Sequence, residues 1–222
     1  MTDCCQDKEC EVAALRESHG KVLWAVLAIN AIMFVVEGYA GIVAHSTSLL
    51  ADALDMLGDA LVYGFSLLVL HRSAQWQARA AMAKGLFMLG FGLAVLAEAA
   101  HKALVPAMPV SMTMGLVAAM ALSANLVCFA LLYRHRADNL NMGSTWLCSR
   151  NDLIANAAVI AAAGATALLA SRWPDIVVGV AIAALFLRSA ITVIRAARAE
   201  MQKPEPPAAK PLRQIPIAVR RG

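Results

Sequence analysis

The sequence predicts an all-α fold, a six-helix transmembrane bundle with both termini cytoplasmic. Three observations carry that reading. Of 222 residues, 60% are hydrophobic and only 15% charged, against roughly a quarter charged in a soluble domain, so much of the outer surface faces something other than water. Six apolar runs of about 20 residues are long enough to cross ~30 Å of hydrocarbon: Val22–Ala44, Leu49–Leu70, Met82–Leu104, Val110–Tyr133, Thr145–Ala170 and Ile176–Ile194. On one side of this pattern the flanks collect fifteen lysines and arginines, on the other only Lys102 and Arg172. Cation-rich loops stay in the cytoplasm, which fixes the orientation.

Residues 1–21 are polar and acidic and lack the apolar stretch of a secretory signal, so they are expected to be a retained cytoplasmic tail. Within it Cys4, Cys5 and Cys10 alternate with Asp3, Asp7 and Glu9. Either these thiols capture metal or they are simply kept reduced by the cytoplasm. With Cys128 and Cys148 they form no regular framework, and disulfides are not indicated.

Residues 22–198 form the membrane unit. Along its third span, Gly85, Gly90 and Gly92 allow close helix approach. That span ends in Glu98, His101 and Lys102, spaced as a self-neutralised helix end. Residues 199–222 hold five of the eight prolines and several cations, and are expected to be a disordered tail near anionic headgroups. A net charge of +4 with 6% aromatics argues against nucleic acid as a partner.

The informative residues are the charges inside the spans, because an ionised group at mid-membrane costs several kcal/mol. Apart from Glu98 at the end of the third span, five acids fall there: Glu37, Asp52, Asp55, Asp59 and Asp152. Three share the second span, in LLADALDMLGDAL. At 100° per residue, Asp55 lies at about 300° and Asp59 at about 340° from Asp52, a stripe roughly 60° wide. Carboxylates this close repel each other unless protonated or neutralised by a cation. Asp55 and Asp59, one turn apart, can converge on one ion. The fifth span repeats that spacing with Cys148 and Asp152, and adds Asn156 one turn further on. Two such pairs supply four ligands, the number tetrahedral zinc prefers, and a thiolate favours zinc or cadmium over magnesium or calcium.

Other polar residues are less decisive. Asp52 either supports those ligands, carries protons, or accepts hydrogen bonds from a neighbouring helix end. His45 extends the acidic stripe if the second helix reaches back that far, which would make it an exit station; otherwise it is a solvated interfacial histidine. Glu37, seven residues from Asn30 on the first span, is read as lining the same cavity or capping a buried network.

HSTSLLADALDMLGDAL in the second span and the Cys148/Asp152 pair in the fifth resemble the cation diffusion facilitators. That resemblance implies six membrane helices, export of divalent metal in exchange for protons, and a homodimer. It carries the metal pair onto Asp55 and Asp59, and its usual histidine-aspartate pair onto Cys148 and Asp152, with cysteine replacing the histidine. Members usually have a cytoplasmic metal-binding domain after the sixth helix, and only a proline-rich stretch is expected here. The expected location is the bacterial inner membrane, crossed several times, with the lipid bilayer, metal ions and protons as partners. No resident cofactor is expected, since zinc or cadmium would be cargo.

Two alternatives stand beside the exporter. A membrane-embedded, metal-dependent enzyme that transfers phosphatidyl groups would need Asp-Gly and Ala-Arg upstream of two further aspartates, and no such stretch occurs. A metal-permeable channel would favour weaker, hydrated sites over a tight cage.

Overall fold

A computed structural model describes the backbone of residues 4–69, 74–134 and 142–202, and the side chains of residues 21–65, 67, 75–132 and 152–202. It consists of six helices: α1 (Cys4–Val43), α2 (Thr47–Val69), α3 (Ala74–Leu104), α4 (Ser111–Arg134), α5 (Met142–Leu169) and α6 (Trp173–Met201). No strand occurs among the described residues. All but α2 contain a stretch long and apolar enough to cross a membrane. At 23 residues α2 has the length too, but Asp52, Asp55 and Asp59 interrupt its apolar surface.

Several helices overrun the apolar spans. α1 starts at Cys4 rather than Val22, α3 at Ala74 rather than Met82, and α6 runs on to Met201. Their flanks are rich in Ala, Glu, Gln and Arg, strong helix formers that continue a helix without hydrocarbon around it. The expected N-terminal tail is therefore largely helical backbone from Cys4 onward, while the side chains of Cys4, Cys5 and Cys10 lie outside the described residues. The proline-rich stretch from 203 onward also lies outside them. Lys84, one of the fifteen cations counted on the cytoplasmic side, is 1% exposed within α3. Removing it leaves the charge asymmetry intact.

α1 packs chiefly on α2 and α4 chiefly on α5, and together they close a four-helix bundle. α3 and α6 form a second pair that docks on the bundle mainly through α2 and α6. Leu49, Leu54, Met88, Val159 and Phe186 make the shared core, with a smaller cluster of Leu23, Val26, Val62 and Leu132 toward the other end. The α3–α6 seam is close because Gly85 and Gly92 have no Cβ. One added at either position would come within 2.6 Å of Ile194 or Leu187. Gly90 faces nothing within 4 Å. Two of the three glycines thus serve packing inside the chain.

The α1–α2 turn takes three residues. His45 adopts φ 51, its N–H donates to the Ile42 carbonyl at 3.2 Å, and the Ser46 N–H reaches back to Gly41 at 2.9 Å. These are the bonds of a Schellman ending, with histidine at the left-handed position glycine usually occupies. Ser46 then opens α2, its Oγ accepting from the Leu49 N–H at 3.1 Å as an N-cap.

The next two N–H groups of α2 are satisfied from a distant helix. Asp175, in the first turn of α6, accepts from the Thr47 N–H at 2.7 Å and the Ser48 N–H at 2.9 Å. It also accepts from the hydroxyls of Ser46 at 2.7 Å and Ser48 at 2.6 Å. One turn along α6, Gly179 lies against Thr47 so closely that a Cβ would stand 2.7 Å from its backbone carbon. The neighbouring turns at this end are tied as well: the Val110 N–H donates to Ala44 at 2.9 Å, and Arg172 Nη2 to the Ala103 carbonyl at 3.3 Å. At the end of α3, Lys102 Nζ lies 3.4 Å from Glu98 Oε1, the self-neutralised helix end expected from the spacing.

A candidate metal-ion site between α1, α2 and α5

The stripe on α2 faces the bundle interior. Asp52 is fully buried, while Asp55 and Asp59 are half-buried. Across from it, α1 contributes Glu37, also fully buried and within electrostatic reach of Asp52 and Asp55. α5 contributes Asp152, half-buried and within reach of Asp52. Asn156, fully buried one turn beyond Asp152, donates from Nδ2 to Asp52 Oδ1 at 3.4 Å and to the Asp152 carbonyl at 2.9 Å. Asp52 thus takes a hydrogen bond from a side chain on a facing helix, not from a helix end. Acids on three helices share one interior, where only a cation or protons can neutralise them.

Not every expected ligand is in view. Cys148 lies on α5 one turn before Asp152, but its side chain is outside the described residues. Among the described residues, no three His, Cys, Asp or Glu side chains are gathered closely enough to hold a metal ion. His45 lies outside α2 in the left-handed turn and is exposed, so the helical register that would place it on the acidic stripe does not extend to it. Further along α1, Asn30 is buried and donates to the Val26 carbonyl at 2.9 Å and to Cys128 Sγ at 3.6 Å.

Asp175 was missed from sequence because an apolar span drawn from Ile176 leaves it in a loop. Two signals point to it: Trp-Pro-Asp at a helix start, where proline and an acid suit the first turn, and a Ser-Thr-Ser helix start with no acid of its own nearby.

A protein that crosses the membrane several times and collects carboxylates between its helices belongs to the class of integral membrane proteins built to meet cations inside the bilayer. Residues 23–201 match the model of the cation efflux transmembrane domain, and the chain belongs to that family. Over 195 residues it is 26% identical to the zinc transporter ZitB of Yersinia pestis and 25% identical to that of Yersinia pseudotuberculosis serotype I (strain IP32953), covering 81% of this chain in both cases. The chain spans 62% of the length of those relatives. The family match runs through all six helices and places the chain among efflux proteins rather than phosphatidyl-transferring enzymes.

Proposed function

We propose that this chain exports a divalent metal ion, zinc or cadmium, from the cytoplasm in exchange for protons. The observation that carries the proposal is the facing of polar groups across α2 and α5, with Asn156 bonded to Asp52 and Asp52 in electrostatic reach of Asp152. Asp55 and Asp59 from α2 and Cys148 and Asp152 from α5 hold the ion. Three carboxylates and a thiolate carry four negative charges against two on the metal, so the emptied site takes up protons and metal binding releases them. Alternating access then requires a two-state movement that opens this site to one side of the membrane at a time. The cation asymmetry supports cytoplasmic termini, and the relatives' printed activity supports zinc. Assembly as a homodimer, implied by the family resemblance, belongs to the same proposal.

The test is zinc- and cadmium-driven proton movement in proteoliposomes. Asp59→Ala and Asp152→Ala are each expected to reduce exchange to the protein-free level. Undiminished exchange in either variant refutes the site, and metal flux indifferent to a pH gradient makes the protein a channel instead.

A further inference from the structure

Glu37, Asp52 and Asn156 are the most buried polar residues of the acidic interior, each 0% exposed, yet they are poorly satisfied. Both carboxylate oxygens of Glu37, Oδ2 of Asp52 and Oδ1 of Asn156 have no hydrogen-bond donor. A buried acceptor without a donor costs about 1–3 kcal/mol, and more when charged. Natural interiors leave few such atoms, and when several carboxylate oxygens share one place a cation, water or protons must satisfy them. These four oxygens come from three different helices. The amide of Asn156 holds Asp52 at 3.4 Å, and Glu37 approaches the same residue from α1.

We propose that Glu37, Asp52 and Asn156 form a second cation station, through which a divalent ion passes after leaving the Asp55, Asp59, Cys148 and Asp152 site. The inference rests on that site being the first to bind. Two carboxylates balance a divalent charge, and the amide oxygen adds a neutral ligand. The set is oxygen-only, so it holds zinc or cadmium less tightly than a site with a thiolate and suits release rather than capture. Its position agrees with this order. Asp52 lies three residues, about 4.5 Å, from Asp55 toward the start of α2, and Asn156 four residues, about 6 Å, beyond Asp152 toward the end of α5. The start of α2 is held to the first turn of α6 by the Ser46–Asp175 contact, and α6 follows the end of α5 after three residues, so both directions lead to the face opposite the cation-rich flanks.

The test counts ions on the full chain in detergent, with Cys4, Cys5 and Cys10 changed to serine so that the N-terminal thiols hold none. Dialysis against cadmium alone, read by elemental analysis and cadmium NMR, is expected to give two ions per chain. One resonance should have the shift of oxygen ligation and the other that of a thiolate. Glu37→Gln with Asp52→Asn is expected to remove only the oxygen-ligated ion, and Asp59→Asn only the other. A single ion in the parent overturns the station and leaves its carboxyls neutralised by protons alone. Two ions surviving in the Glu37→Gln/Asp52→Asn chain also overturn it. If Asp59→Asn loses nothing while the double variant still loses its ion, the station stands and the Asp55/Asp59 assignment fails, so the two failures separate. Should the double variant not fold, Asp52→Asn alone is expected to weaken the oxygen-ligated ion about tenfold or more, and an unchanged Kd overturns the proposal.

Discussion

Replacing Asp175 with alanine leaves two buried backbone N–H groups at the start of α2 without acceptors, those of Thr47 and Ser48. The hydroxyls of Ser46 and Ser48, which also point at this carboxylate, can rotate toward backbone carbonyls, but an N–H in the first turn of a helix cannot. Each orphaned donor costs about 1–3 kcal/mol, so the pair costs about 4 kcal/mol, close to a thousandfold in the unfolding equilibrium. Asp175→Asn keeps one carbonyl oxygen for the donors now on Oδ1 and turns an amide toward the Thr47 N–H, so it should lose about half as much. The assay is SDS titration in mixed micelles followed by far-UV circular dichroism, with Ser48→Ala and the double variant completing a cycle. Asp175→Ala is expected to be the worst single variant and to couple to Ser48→Ala by more than ~1 kcal/mol. An alanine variant within ~1 kcal/mol of the parent, or full additivity in the cycle, would refute the claim that α6 caps α2.

Further outcomes follow from other parts of the structure. His45→Gly relieves a left-handed residue and is expected to raise stability by about 1 kcal/mol with export unchanged; lost export in a stabilised protein would restore the exit-station role. Cys148→His is expected to shift the zinc-to-cadmium preference toward zinc, measured as relative export rates, because a borderline nitrogen replaces a soft thiolate. Since the ligands must lose protons to bind metal, zinc affinity measured by dialysis should rise with pH, by up to about tenfold per unit for each proton displaced. Affinity that falls or stays level as pH rises contradicts proton exchange at the site.

The six helices and the acidic stripe were legible because run length and 100° periodicity are local properties. The pairing of α3 with α6 was not, since nothing in the α3 glycines says whether they face a helix of the same chain or of another. Asp175 lies more than 120 residues from the N–H groups it caps, and an apolar window has no term for such a partner. Of the two readings of His45, the exit station needs the register of α2 to run past its first residue, whereas the chain there has already reversed and the side chain is exposed. Lys84 lies just inside the Met82–Leu104 run, where hydropathy does not tell a flanking cation from an enclosed one; its 1% exposure does. The interior itself was half legible. Spacing picked out Asp55, Asp59 and Asp152, but which acids are most deeply enclosed, Glu37 and Asp52, depends on how three helices face one another.

The carboxylate of Asp175 and the missing side chain of Gly179 pin one end of α2 against α6 and leave the other end free of that clamp. A pinned rod is a lever. With 23 residues in α2, at 1.5 Å of rise each, a tilt of about 10° about the pin carries the far end roughly 6 Å while the pinned end hardly moves. Asp55 and Asp59 sit part-way along that arm, so a small rotation at the Ser46–Asp175 contact changes their separation from α5 by an ångström or two. Displacements of that size are enough to make or break a metal–ligand bond.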